Sequence, residues 1–398
     1  MFDYVIVGAG NAGISAVEGI RELDQTGSIL VVGAEDHLPY DRPPLTKQLW
    51  FGKKTVDEIS LHEREYFERQ HVELVSGERV TEIHPDEKSV LTDLGRSERY
   101  GKLLLATGGK PRQLQIPGAD LKGVFYFRSL DDYVELSREP QGKSILVVGG
   151  GFIGAEIAAA LSMHEAQVTM VFPGRLMLER VFPEALAHSI QEQYSQRGIR
   201  ILSEDFATLF VSRGGWLAAE TRNGEHLACD AIVVGAGIEP ETELARSAGL
   251  AVENGIEVNE LLESSAPDVF AAGDNANFPY AALEKRMRVE HWDNAVAQGK
   301  AAGRNMAGAG EPFTYMPYFY SDLFDFGFEA VGDVSSSLAT YADWQKENET
   351  GVVYYLEDGR VRGVMLCNVW EKLDQARALI RAGTHVSAVD LHGALRAA

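Results

Sequence analysis

The sequence predicts an α/β protein made of two Rossmann-like dinucleotide-binding domains and a C-terminal α+β domain with an antiparallel sheet. Three observations carry this prediction. A strand, glycine turn, helix and strand run from residue 3 to 35. The same order returns from residue 144 to 171. From about Tyr315 the chain becomes aromatic and alternates apolar with polar residues between turn signals.

In the first unit, Tyr4 to Val7 form an apolar strand, Gly8-Ala9-Gly10-Asn11-Ala12-Gly13 the turn, a helix runs through Leu23, and Ile29 to Val32 form the second strand. In the second, the strand is Ser144 to Val148, the turn Gly149-Gly150-Gly151-Phe152-Ile153-Gly154, the helix reaches about Met163, and Gln167 to Val171 close the unit. Leu103-Leu104-Leu105 runs into Ala106-Thr107-Gly108, and Ala231 to Val234 runs into Gly235-Ala236-Gly237. Each reads as a buried strand entering a small-residue turn, and the pair predicts a crossover between two dinucleotide domains. Asp268 to Asp274 is a further buried strand ending on an acid. Gly351 to Leu356 and Val361 to Leu366, joined by Glu357-Asp358-Gly359, predict a hairpin. A helix near Lys372 to Ala382 is expected to close the ordered part.

Composition narrows the function. A chain of 398 residues suggests two or three domains. With 45 % apolar and 24 % charged residues it fits neither a disordered tail nor a membrane bundle. No apolar run approaches the roughly 20 residues needed to cross a bilayer, and the first strand begins at once, so a cytoplasmic location away from membranes is expected. The 59 acidic and 37 basic residues give a net charge of −22, which disfavours nucleic acid as a partner. Cys229 and Cys367 stand far apart and read as buried structural thiols, with no redox dithiol or metal site.

The chemistry sits at the turns. Glycines between a strand and a helix let backbone N–H groups approach a pyrophosphate at the positive end of the helix dipole. Gly8, Gly10 and Gly13 do this in the first unit, and Glu35 ends its second strand where a ribose-binding acid belongs. Gly149, Gly151 and Gly154 do it in the second. There Phe172-Pro173-Gly174-Arg175 follow the strand with no acid until Glu179, so both NADH and NADPH are admitted, and Arg175 becomes a candidate contact for a 2′-phosphate. Two dinucleotide folds imply two dinucleotides, and the reaction linking a nicotinamide to a flavin is hydride transfer from C4 to N5.

Leu38 to Lys47, Ala106-Thr107-Gly108, Gly149 to Glu156, Gly273-Asp274, Arg288 to Asp293 and Phe319 to Leu323 together resemble the apoptosis-inducing factor-like branch of the ferredoxin and rubredoxin reductase-type FAD-dependent oxidoreductases. The resemblance covers nearly the whole chain. It implies a discontinuous FAD domain at 1–114 and 240–314, an NAD(P)H domain at 115–239 and an antiparallel-sheet domain at 315–398. It also implies that Gly8, Gly10, Gly13, Glu35, Arg42, Lys47, Val80, Ala106, Thr107, Gly108, Asp274, Glu290, His291 and Trp292 serve FAD. Gly149, Gly151, Phe152, Ile153, Gly154, Arg175 and Gly237 would serve NAD(P)H, and Lys47 with Glu156 would lie beside the flavin. Phe152 stands where the family covers its nicotinamide pocket with an aromatic. Tyr320 stands where relatives carry tryptophan, and His291 where the apoptosis-inducing branch has a histidine tied to redox-dependent rearrangement.

The activity so implied is hydride transfer from NAD(P)H to FAD, with electrons passed to an acceptor such as a ferredoxin-type iron–sulfur protein. The alternative is a redox sensor with a long-lived reduced flavin–NAD charge-transfer complex coupled to homodimerisation. Lys285, Arg286 and Arg288 form a basic patch that could guide an acidic partner, although a solvated charge run is the simpler reading. Related flavoproteins that need thiols near the flavin are excluded, since Pro43-Pro44-Leu45-Thr46-Lys47 stands where a paired thiol would. The tail Val386 to Ala398 is a poor membrane anchor.

Overall fold

The computed structural model describes residues 1–138 and 140–396. The chain divides into two compact units, Met1–Asp41 with Thr55–Lys110 and Glu239–Tyr318, and Arg42–Lys54 with Pro111–Ile238 and Phe319–Ala398.

The first unit is built on a parallel sheet in the order Val72–Ser76, Ile29–Gly33, Phe2–Val7, Ser97–Leu105, with Val269–Ala271 beside the last. These strands are rich in Val, Ile and Leu because both faces are covered. Val7 pairs with Val32 and with Leu105, and Leu105 with Ala271. The carboxyl ends are therefore level, and the segments carrying Gly8, Glu35, Ala106 and Asp274 all leave the sheet at one edge, where open α/β sheets bind ligands. The helices Asn11–Leu23 and Trp292–Met306 cross in near backbone contact. A Cβ at Gly299 or Gly303 would lie 2.1 Å from the carbonyl oxygen of Ala12 or Ala16, so glycine is required at the crossing.

The second unit holds a parallel sheet in the order Arg200–Leu202, Gln167–Val171, Ser144–Val148, Ala231–Val234, Val124–Phe125. Val148 pairs with Val171 and Val234, which again aligns the strand ends. An antiparallel sheet of Ala207–Arg213, Trp216–Thr221 and His226–Cys229 packs Phe210, Leu217 and Cys229 onto Leu146 and Ile232. The C-terminal sheet runs in the order Tyr318–Leu323, Phe326–Gly332, Arg360–Cys367, Thr350–Glu357, Ala339–Lys346. Its predicted hairpin turns at Asp358 and Gly359, with φ of 49° and 69°, as a type I′ turn demands. Cys229 and Cys367 are both buried.

One expectation is corrected. The chain does not end its ordered part at the helix Leu373–Ala382. Residues beyond it form the helix Ala388–Leu391, and Arg396 grips the buried Asp343 at 2.6 Å. Nothing in the tail's own pattern announces this clamp, because its partner lies on a distant strand. Among the described residues no helix is long and apolar enough to cross a membrane.

Candidate functional site

In the first unit the glycine turn rests against the turn that follows Ser97–Leu105. Gly8 has φ +112°, and a Cβ there would stand 2.2 Å from the carbonyl oxygen of Ala106; one at Gly13 would stand 1.9 Å from that of Gly8. The turn closes only with glycine at both places. Space at Gly10 is open, with nothing within 4 Å of a Cβ. The helix begun there has no side-chain cap and no acid in its first turn, so its leading N–H groups suit an anion.

Neighbouring groups fix the rest of this edge. Asn275 donates to the Leu105 carbonyl at 3.1 Å and to the Thr107 hydroxyl at 2.9 Å, and Thr107 donates to the Glu241 carbonyl at 2.9 Å. Glu35 is half-buried and accepts the hydroxyl of Tyr40. Val80 is buried in the strand Val80–His84, and Gly108, directly after Thr107, has positive φ. Asp274 is half-buried, with its carbonyl held by Arg288 at 2.9 Å.

His291 stands directly before the helix Trp292–Met306, and Trp292 keeps 37 % of its surface exposed. His291 retains some open surface, yet enclosure of its ring pushes its pKa down to about 4 against the pull of the Asp274 carboxylate, which raises it. The imidazole is neutral at pH 7. Glu290 forms an ion pair with Arg288. The basic patch is therefore largely structural, since Arg286 also donates to the carbonyls of Asn277 and Val258, at 2.7 and 2.8 Å.

The second unit repeats the design. Gly149 has φ +129°, and its Cβ would meet the Gly235 carbonyl oxygen at 2.3 Å; space at Gly151 is open, and Gly237 is equally unobstructed. The helix Phe152–Met163 starts at Gly151 with no side-chain cap. Ile153 lies in its first turn, and Gly154 is buried against the Gly149 carbonyl, 2.2 Å from where its Cβ would be. Phe152 is half-buried among Phe319, Phe328 and Phe182, with ring centroids 5.7, 5.8 and 6.3 Å away. Both glycine turns thus fit a pyrophosphate, one in each unit. Arg175, the candidate contact for a 2′-phosphate, is exposed and its guanidinium is paired with Glu184.

A charged cluster lies one helical turn into that same helix. Glu156 is 3.3 Å from the ammonium of Lys47, and the side chains are only 11 % and 7 % exposed. Thr46 donates its hydroxyl to one Glu156 oxygen at 2.6 Å, and Ser321 donates to the other at 2.5 Å. Lys47 also donates to the Tyr320 carbonyl at 3.4 Å and lies 4.1 Å from the centre of the Tyr320 ring, a cation–π contact. The pieces are brought in by the short helix Pro43–Thr46, whose two prolines set its backbone, and by the strand Tyr318–Leu323. Arg42 donates to the Arg128 carbonyl at 2.8 Å.

Sequence reasoning singled out Lys47, Glu156 and Tyr320 but assigned no part to Thr46 or Ser321. Both lie in stretches that carried the resemblance, but a hydroxyl residue has no pattern that reveals its acceptor.

The pyridine nucleotide-disulphide oxidoreductase family matches residues 2–299, and the C-terminal family of mitochondrion-associated apoptosis-inducing factor matches residues 302–350. Apoptosis-inducing factor 1, mitochondrial, of Dictyostelium discoideum is 35 % identical over 95 % of this chain and 78 % of its own. The 5,5′-dehydrodivanillate O-demethylase ferredoxin reductase subunit of Sphingobium sp. (strain NBRC 103272 / SYK-6) is 34 % identical over 97 % of this chain and 94 % of its own. Putidaredoxin reductase, solved in a covalent complex with putidaredoxin, superposes with a TM-score of 0.91 at 29 % identity, covering 98 % of this chain and 95 % of the matched one. The chain therefore belongs to the pyridine nucleotide-disulphide oxidoreductase family and is an FAD-dependent NAD(P)H oxidoreductase of the ferredoxin reductase type with an apoptosis-inducing factor-like C-terminal region.

Proposed function

We propose that this enzyme passes electrons from NAD(P)H through FAD to a ferredoxin-type iron–sulfur protein in the cytoplasm. The observation that carries the reading is the enclosed Lys47–Glu156 pair with both carboxylate oxygens hydrogen-bonded. FAD, when bound, would supply the chemistry that converts a hydride into single electrons. Lys47 would supply positive charge beside the flavin, and Glu156 and the Tyr320 carbonyl hold its ammonium in place, so that the charge is preorganised. Gly8, Gly10, Gly13, Glu35 and Asp274 hold FAD; Gly149, Gly151 and Gly154 receive the pyrophosphate of NAD(P)H, and Phe152 covers the nicotinamide position.

The same reading divides the chain into an FAD domain at 1–114 and 240–314, an NAD(P)H domain at 115–239 and a C-terminal domain at 315–398. It takes its acceptor from relatives named as a ferredoxin reductase subunit and a putidaredoxin reductase. Anaerobic titration with NADH and with NADPH, followed by addition of a ferredoxin, tests it. Bleaching of the flavin absorption and prompt recovery on adding ferredoxin are expected. Protein that neither contains nor takes up FAD would overturn it.

A second reading is favoured by the C-terminal match over 302–350. Here the reduced enzyme persists in complex with NAD and dimerises, acting as a redox sensor. A reduced form that survives admission of air and elutes earlier from a sizing column is the expected sign; an unchanged elution volume removes the reading's support.

A further inference from the structure

The second strand of the nucleotide-binding motif in the second unit, Gln167–Val171, is followed by no nearby acid, yet the fold brings one back. Gly174 lacks a side chain, and a Cβ placed on it would lie 2.4 Å from Oε1 of Glu179. The Glu179 carboxylate occupies the space that a side chain at 174 would fill. It is held there from its other oxygen: Oε2 accepts the backbone N–H groups of Arg175 and Leu176 at 2.9 and 3.0 Å. The returning loop is tied to the glycine turn itself, since Leu178 donates its N–H to the Gly150 carbonyl at 2.8 Å. Among the described residues Oε1 carries no hydrogen bond, and Glu179 is exposed.

We propose that Glu179 is the specificity-determining residue of the nicotinamide dinucleotide site, accepting the hydroxyls of the adenosine ribose and so selecting NADH over NADPH. This rests on the reading of the Gly149–Gly154 turn as that dinucleotide's pyrophosphate site. A carboxylate beside a ribose favours the free 2′-hydroxyl, which can donate to it, and repels a 2′-phosphate. Of the two cations in the loop, Arg175, the one next to Gly174, is paired at the surface with Glu184, and Arg180 follows Glu179. The acid is thus supplied from five residues beyond the position where the motif places it, which is why the sequence alone left both coenzymes open.

The test is equilibrium binding of ADP-ribose and 2′-phospho-ADP-ribose to the flavin-loaded enzyme by calorimetry, which needs no turnover. The wild type is expected to bind ADP-ribose at least about tenfold more tightly. Glu179→Gln should bring the two affinities to within about threefold of each other while the flavin spectrum stays unchanged. The double change Gly174→Glu with Glu179→Gln returns a carboxylate from the strand-end position and should restore the discrimination, which separates the role from general damage to the loop. A wild-type preference for the 2′-phosphate ligand, or an unchanged ratio in Glu179→Gln, overturns the inference and leaves the coenzyme site intact. Binding of neither ligand overturns the assignment of the site as well.

Discussion

Ser321 donates its hydroxyl to the Glu156 carboxylate at 2.5 Å across 165 residues of chain, and it shares that carboxylate with the ammonium of Lys47. Each group in this cluster answers a polar need of another. Removing any one leaves a buried charge or acceptor exposed to a poor environment.

Lys47→Met leaves Glu156 enclosed without its counter-ion and should cost about 3–5 kcal/mol of folding stability. It should also slow flavin reduction by roughly 10²-fold, as loss of one preorganised electrostatic group does. Denaturant unfolding and stopped-flow reduction measure the two effects. Ser321→Ala and Thr46→Val each remove one bond to the same carboxylate, at about 1.5–3 kcal/mol each. The double variant should depart from additivity because the partners share one acceptor.

The two glycine turns allow the two dinucleotides to be lost separately. Gly13→Ala forces a Cβ against the Gly8 carbonyl, and Gly154→Ala forces one against the Gly149 carbonyl. The first should yield protein that does not retain FAD. The second should keep FAD, seen as its absorption spectrum after gel filtration, and lose binding of the nicotinamide dinucleotide.

His291 sets a pH dependence. Its folded pKa lies near 4 against an ordinary 6.5, with burial as the main cause, so the folded state favours the neutral ring. The stability this gives is fully present above about pH 6.5 and is lost as pH falls from there through 4. His291→Asn should flatten the loss of stability over that window when melting temperature is followed against pH. A wild-type curve with the same slope as the variant would contradict the assignment.

Asp343 anchors the C-terminal segment. Its pKa is held below the ordinary 3.8, chiefly by the hydrogen bonds from Arg396 and with help from the Gly393 N–H. A depressed carboxylate pKa means that the clamp is fully formed above about pH 4 and weakens as acid protonates Asp343. At neutral pH, Arg396→Ala should loosen the segment and speed amide exchange in residues 387–396, leaving the sheet strands protected.

The sequence by itself determined both nucleotide-binding motifs, because strand, turn and helix are local and their glycines are demanded by backbone geometry within a few residues. It also determined the hairpin at Asp358-Gly359, where the turn residues dictate the connection. The reading of local pattern left out the helices Glu184–Gln196 and Trp292–Met306 and the antiparallel sheet of Ala207–Cys229, although Gly214-Gly215 and Asn223-Gly224 mark the turns of that sheet and Pro183 and Gly198 flank the first helix. It could not show that Glu156 is gripped from Thr46 and Ser321, that Arg175 is turned to Glu184, that Glu179 folds back onto Gly174, or that the tail is fastened at Asp343. Each of these is a pairing of polar side chains whose strength comes from burial and from the proximity of residues far apart or out of register in the chain. Burial and proximity exist only once the chain has folded.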